Sequence, residues 1–489
     1  LTEAGNYYFV GQGNKETSEL IPAGSDPYMV GRIYLGQLAY AAHSFRMAFA
    51  AHYTKYYDAH PRESALPNIV TIDGISIGHS DIADPATATW VTGRFGGVPG
   101  AVVGSGAGLA GLLSDDLIEP GRAIAAGRHI WAMVAAHVPS GGAWPQVKHY
   151  VADSLGGLAV GAAEQTGKLT DGSAIALPAG TVTPGFAPTY IVAKGSAGEA
   201  VVLTYGDSIA WCQYDSFHDT SMHGHPGFIQ RGLAAAGVSG HNIAVPAAMG
   251  SHWARNGRSG SVAAKIDLVK LLPNVPFTHM LSEIGTNDCD NWPDGDEFIA
   301  GQKAVLQLLQ SEFPGLPLYQ TTLLPRGETA DMCTTSTQQA PAANTALPAG
   351  NLALFNAALL ASNLDGTIDG HLDITTPVAD PAEPRKFRLS TVVLTLTAAS
   401  AAGAQQIEAV ERPGLGDVYY IDGINREVVG FSGGGPFRVE LNGPVASAHP
   451  AGTVFRSTNS HDFLHPSSQG HRLIAPVIQA WAESLTSGL

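Results

Sequence analysis

The sequence predicts an α/β protein: a parallel-sheet domain preceded by an all-β domain and interrupted by a β-rich insertion. Three observations carry this prediction. Residues 1–189 hold short apolar runs between Gly and Pro turns, strand and helix patterns alternate from about residue 190, and residues 376–456 return to the β pattern. A chain of 489 residues is too long for one ordinary core, so two or three domains are expected. Hydrophobic residues make up 45% and charged residues only 14%, which excludes a disordered chain. The net charge of -16, without a basic cluster, argues against binding nucleic acid or an anionic membrane surface.

In the first 189 residues, Ser44–Tyr53, Pro67–Ile77 and Arg128–Val138 read as strands of a sandwich, with Tyr190–Ala193 at its boundary and Pro184 to Pro188 as a linker. The strand–helix alternation follows, over 190–375 and 457–489. Val201–Tyr205 is a strand, with a helix near Gly227–Ala236, and Asn242–Ala247 a strand, with a helix at Ser261–Leu271. Phe277–Ile284 then leads into Asp294–Phe313, where Phe298, Val305, Leu306, Leu308, Leu309 and Phe313 approximate a helical stripe. Leu318–Leu323 is a further strand, Leu352–Leu364 a helix, and Ser467–Leu485 the last helix. Within the insertion, Thr391–Thr397, Val418–Ile421, Glu427–Phe431 and Phe437–Leu441 are strand-like, and Gly433-Gly-Gly is a turn. Strand–helix alternation of this kind predicts a parallel sheet with sites at the carboxyl ends of its strands.

Three fragments fall at such ends or near the last helix: Gly206-Asp207-Ser208-Ile209, Gly285-Thr286-Asn287-Asp288, and Asp462-Phe463-Leu464-His465-Pro466. They supply a hydroxyl nucleophile, an amide donor, an imidazole base and a carboxylate to orient that base, which is the set acyl transfer through a serine requires. Ser208 needs an imidazole to take its proton, and His465 is the candidate. Asp462 lies three residues earlier, a spacing that brings a carboxylate to the same ring on one helical turn or a tight loop. Asp207 and Asp288 are expected to cap turns.

These fragments resemble the SGNH (GDSL-type) hydrolase superfamily over about residues 195–375 and 457–489. The resemblance implies a three-layer, flavodoxin-like fold and a catalytic set of Ser208, His465 and Asp462. It also implies an oxyanion hole made by the N–H groups of Ser208 and Gly250 and the Asn287 amide. Gly250, in Pro246-Ala-Ala-Met-Gly250-Ser251, matches the second family block only as a single glycine. The activity expected is hydrolysis of a small, acetyl-type ester on a carbohydrate through an acyl-enzyme, without metal or organic cofactor. A lipase or thioesterase, an acyltransferase and an inactive saccharide-binding protein are the alternatives. Such an enzyme loses activity in acid as its imidazole is protonated.

Trp211, Trp253 and Trp292 lie within five residues of a site block and suit an aromatic wall for sugar rings or acyl chains, or else the core. Arg255 and Arg258 can meet an anionic substrate group or pair with surface acids. Three patterns are read as decoys. Gly74-Ile-Ser76-Ile-Gly78 fits a nucleophile elbow but lies in an alternating strand with no helix after it. Gly106-Ala-Gly-Leu-Ala-Gly111 lacks the βαβ unit a dinucleotide site requires, and His218, His223 and His225 lack a carboxylate-rich partner motif. Cys212, Cys289 and Cys333 lack zinc spacing and allow at most one disulfide. No charge-free run reads as a membrane span. The start at Leu1 and the low lysine content lead to an expectation of trimming and secretion. The expected partner is an acylated saccharide.

Overall fold

The structure is a computed structural model. It describes residues 6–10, 17–24, 27–55, 62–104, 109, 111–118, 123–151, 157–172, 175, 181–195, 200–215, 226–256, 262–274, 276–289, 292, 294–342, 350–413, 417–433 and 436–487.

Among the described residues, every strand pairing of the N-terminal part is antiparallel. One sheet orders the strands Asn6–Phe9, Tyr190–Gly195, Ala42–Phe49 and Leu112–Leu113; another is built on Tyr28–Gln37, His129–His137 and Val70–Ser80. Inward residues of both, among them Phe45, Met47, Phe49, Ile72, Ile75, Ile130 and Val134, share one core. Gly74 and Gly78 sit inside the long strand Val70–Ser80, as the alternating pattern required. The expected linker is not free chain: Thr181–Gly185 pairs with Ala143–Val151. The strand at Tyr190–Gly195 pairs with Ala42–Phe49 and Asn6–Phe9, and so belongs to the β sandwich.

The elements of the α/β part are numbered in chain order: β1 (Val201–Tyr205), α1 (Phe228–Ala235), β2 (Ser239–Asn242), α2 (Gly250–Asn256), α3 (Ala263–Val269), β3 (His279–Ser282), α4 (Gly295–Glu312), β4 (Leu318–Thr321), α5 (Asn351–Gly366), β5 (Gly370–Leu372) and α6 (Ser468–Ser487). All sheet pairings are parallel, in the order β2-β1-β3-β4-β5. This is the flavodoxin-like order expected, with its topological switch between β1 and β3. Strand β1 is buried along its whole length. Its Val201, Leu203 and Tyr205 point into one core and Val202 into the other, so an uninterrupted apolar run is what a strand covered on both faces needs. Helices α1 and α6 pack together on one face, while α2 packs on α4 and α4 on α5.

The contact of α1 with α6 depends on a close approach at Gly232. A Cβ there would come within 2.5 Å of the Ile478 Cβ and 2.7 Å of the Ala475 carbonyl oxygen. Gly232→Ala is therefore expected to destabilise the protein by about 1–3 kcal/mol through overpacking, measured as a lowered urea midpoint. An unchanged midpoint would show that the helices separate freely.

The β part and the α/β part share a core instead of meeting at a hinge. Phe9 stacks on His241 and Phe277 at 4.8 and 5.3 Å between ring centres. The Tyr190 hydroxyl donates to the Leu268 carbonyl at 2.8 Å. Glu63 accepts the first N–H groups of α3, from Ala264 at 2.6 Å and Lys265 at 3.0 Å. The insertion, in contrast, has its own core of Leu394, Ile407, Tyr419, Val428, Val439, Leu441 and Phe455. Its Gln406–Ala409, Phe437–Leu441, Ile424–Ser432 and Val418–Ile421 strands form an antiparallel sheet between β5 and α6 in the chain. An ion pair from Asp417 to Arg472 ties it to α6. Among the described residues, no helix is long and apolar enough to cross a membrane.

Candidate active site

The three sequence fragments meet beyond the carboxyl ends of β1 and β3, where the strand order switches. The first follows β1 directly. Asp207 accepts the Ile209 N–H at 2.9 Å, closing a tight turn that carries Ser208 just past the sheet. The second follows β3. Gly285 has φ of 141°, a backbone conformation side-chain-bearing residues avoid, and it swings the chain into the single turn Thr286–Asp288.

The third fragment comes from the far end of the chain. Asp462–His465 is a tight loop and not a helical turn. The Asp462 Oδ1 accepts the N–H groups of Leu464 at 3.0 Å and His465 at 2.8 Å. Phe463 has φ of 63° and is buried against Phe387, which anchors the loop. The Ser460 hydroxyl accepts the Phe463 N–H and donates to the His465 carbonyl, bracing both ends.

These constraints bring the Ser208 Oγ to 2.8 Å from the His465 Nε2 across 257 residues of sequence. On the other side of the ring, the His465 Nδ1 lies 2.8 Å from the Asp462 Oδ2. Ser208 and His465 are 5% and 7% exposed, sheltered yet reachable. Burial alone would raise the Asp462 pKa, but hydrogen bonds and charge from His465 hold it below the ordinary carboxylate value. An ionised carboxylate at Nδ1 fixes that nitrogen as the protonated one and leaves the Nε2 lone pair facing the serine.

The Asn287 amide nitrogen donates to the Asp207 Oδ2 at 3.3 Å and the Ala248 carbonyl at 3.1 Å. Both partners are acceptors, so the nitrogen and not the oxygen must occupy that position. Both bonds are long and would yield readily to a better acceptor.

Gly250 departs from expectation. Its N–H and that of Ser251 each donate at 2.8 Å to the buried Asp288 carboxylate, which caps α2. An N–H engaged in this way is closed to a substrate oxygen. The glycine is explained by packing, since a Cβ would approach Val305 of α4 to 2.9 Å. Trp253 is also core and not cleft wall: it is 3% exposed and packs edge-on against Tyr205 at 5.1 Å. Trp292 is half-buried against the same core, and Trp211 against the core beneath α1 and α6. The Arg255 side chain, Arg258, Gly106 and the three histidines 218, 223 and 225 lie outside the described residues. Cys212, Cys289 and Cys333 are all buried.

Sequence reasoning missed four groups. Glu283, fully buried at the end of β3, sits against Asp207. Tyr214 stacks on His461 at 3.7 Å and presents an edge to His465 at 5.3 Å. Asp215 and Arg231 form a buried ion pair behind the nucleophile turn. Only the run Ser-Glu-Ile immediately before Gly285 could have drawn attention to Glu283, because a carboxylate at the end of a buried strand is out of place.

No family model and no curated protein matches the chain. Solved structures do. A salicylyl-acyltransferase from a tetracycline biosynthetic pathway is 12% identical, over 94% of this chain and 82% of that one, with a TM-score of 0.27. A family two carbohydrate esterase from Cellvibrio japonicus is 11% identical, over 73% of this chain and 88% of that one, with a TM-score of 0.26. A carbohydrate esterase family 2 enzyme from Corynascus thermopiles is 12% identical, over 75% and 89% of the two chains, with a TM-score of 0.27. Many of the solved structures similar to this chain bear the names of acylhydrolases, carbohydrate esterases or lipolytic proteins of the G-D-S-L type.

Proposed function

We propose that this chain is a serine ester hydrolase of the SGNH (GDSL) type, using Ser208, His465 and Asp462 to cleave small acyl esters through an acyl-enzyme. The observation that carries the reading is the line of contacts from the Ser208 Oγ through both ring nitrogens of His465 to the Asp462 carboxylate, with 2.8 Å at each junction.

In this reading the His465 Nε2 takes the serine proton as Oγ attacks the ester carbonyl. Asp462 stabilises the imidazolium that forms. The developing oxyanion is met by the Ser208 N–H and by an Asn287 N–H that leaves Asp207 or Ala248. His465 passes its proton to the departing alcohol. Water, deprotonated by the same ring, then attacks the acyl-serine, and His465 returns that proton to the Ser208 Oγ as the acid leaves.

The substrate class proposed is an acetylated saccharide, because Tyr214, stacked on His461, remains 40% exposed beside His465 and so offers aromatic surface to a sugar ring. The first test is a fluorophosphonate probe followed by peptide mass mapping. One adduct, on Ser208, is the expected result, and an unlabelled Ser208 in folded protein sinks the proposal. A series of p-nitrophenyl esters checks the acyl group. Turnover highest on acetate is expected, and preference for long chains replaces the acetyl-ester reading with a lipase.

A further inference from the structure

We infer that Glu283 is a positioning residue for the active site, acting through Asp207 by sharing a single proton with it and thereby holding Asn287 and the nucleophile turn in place. This rests on the serine hydrolase reading and adds to it a group that touches neither serine nor substrate.

Asp207 and Glu283 lie where β1 and β3 end side by side, both are 0% exposed, and their side chains are hydrogen-bond partners. The Glu283 Oε2 accepts the Ala210 N–H at 3.2 Å and lies 3.5 Å from the Asp207 nitrogen, so it spans the turn that presents Ser208. Asp207 in turn holds the Ile209 N–H with Oδ1 and the Asn287 amide with Oδ2. Glu283 thus reaches both the nucleophile turn and the amide donor through one neighbour.

Two carboxylates this close and this deeply buried cannot both be charged. Burial pushes both pKa values up, and the Asp207 charge adds to the rise at Glu283. The Asp207 value is pushed up to about 6, while Glu283 is driven well above its usual range. The greater rise at Glu283 places the single shared proton on Glu283, facing an ionised Asp207. The other groups facing the pair are Tyr205 on β1, Asp288 after β3 and His465 on the C-terminal loop. None is a fixed cation able to offset a second negative charge. Raising the pH removes the bridging proton, places two like charges in contact and releases Asp207 from its position under Asn287.

The test compares the pH profile of kcat for p-nitrophenyl acetate hydrolysis in wild type, Glu283→Gln and Glu283→Ala, each confirmed as folded by its thermal transition. Wild type is expected to lose activity on the alkaline side of neutrality. Glu283→Gln keeps a hydrogen-bond donor that cannot ionise, so its kcat at neutral pH is expected within about tenfold of wild type, and its alkaline loss should vanish. Glu283→Ala is expected to lower kcat about 10–100-fold at neutral pH with little change in KM. A wild type without alkaline loss, the same loss in Glu283→Gln, or unchanged kcat in folded Glu283→Ala overturns the inference. Fluorophosphonate labelling of wild-type Ser208 separates the two levels. Its absence overturns the hydrolase reading together with this one, whereas a labelled enzyme with an unaltered Glu283→Gln profile overturns only the role of Glu283.

Discussion

Replacing Ser208 with alanine is expected to lower kcat for p-nitrophenyl acetate by about 10⁴–10⁶-fold while leaving the thermal transition nearly unchanged. In the proposed mechanism the serine is the only side chain that forms a bond to the substrate carbon. What alanine leaves behind is the Asn287 amide and whatever binding the cleft supplies, and these retain a small residual rate over water. The structural cost is slight, because Ser208 Oγ contacts the His465 ring beyond the strand ends and not the core. The sharper prediction concerns the pair. If Ser208 and His465 act as one unit, the Ser208→Ala/His465→Ala double variant should be no slower than either single variant. Losses that multiply in the double variant would mean that the two side chains contribute separately, and the contact at 2.8 Å would then be incidental to turnover. Asp462→Asn should fall by about 10⁴-fold, because an amide no longer fixes the protonated ring nitrogen.

Much of this site was legible because each block pairs a chemically distinctive residue with a local backbone signal. Gly206-Asp207-Ser208 ends a wholly apolar strand, and Gly285 allows the sharp turn that delivers Asn287. Asp462 and His465 are close enough in sequence for one loop to join them. What escaped was the support. Glu283 meets the Ala210 N–H across 73 residues, and Arg231 meets Asp215 through folding of α1 onto the nucleophile turn. No local pattern marks such pairs. Trp253 was ambiguous for a related reason: aromatic residues near a motif read the same whether they line a cleft or fill the core behind it, and packing on Tyr205 decides for the core. In the fold, β5 is only Gly370–Leu372, too short to leave an apolar run. Tyr190–Gly195 and Val201–Tyr205 are similar apolar strands in succession, and nothing within them tells which sheet each joins. The answer lies in partners, Ala42–Phe49 for the first and His279–Ser282 for the second.

Loss of the Asp215 carboxylate should be the most destabilising single change near the site. Asp215 is 3% exposed and ends the turn that begins at Ser208. Its Oδ2 accepts the Arg231 Nε at 2.7 Å and the Gly227 N–H at 2.6 Å, and its Oδ1 accepts the Arg231 Nη2 at 2.8 Å. Arg231 is itself only 4% exposed, so Asp215→Ala removes the carboxylate to which its buried Nε and Nη2 donate, and the expected cost is about 3–5 kcal/mol, read as a lowered urea midpoint. Removing both charges should recover part of this, and Asp215→Ala/Arg231→Leu is expected to be more stable than Asp215→Ala alone. The pH dependence has a definite sign. Burial by itself raises the Asp215 pKa, but Arg231 and the Gly227 N–H hold it below the ordinary carboxylate value. A depressed folded-state pKa gives stability that is complete above the unfolded value and lost as pH falls toward the folded one. The gap between wild type and Asp215→Ala should therefore be full at pH 7 and shrink below about pH 4. A gap that stays constant into acid would mean that the charge contributes nothing and that Asp215 acts only as a spacer. The same variant reports on catalysis, because Tyr214, next to Asp215, packs against both His461 and His465. Loosening that end of the turn should lower kcat even where the protein remains folded, since the serine and the imidazole are then held to their contact from one side alone.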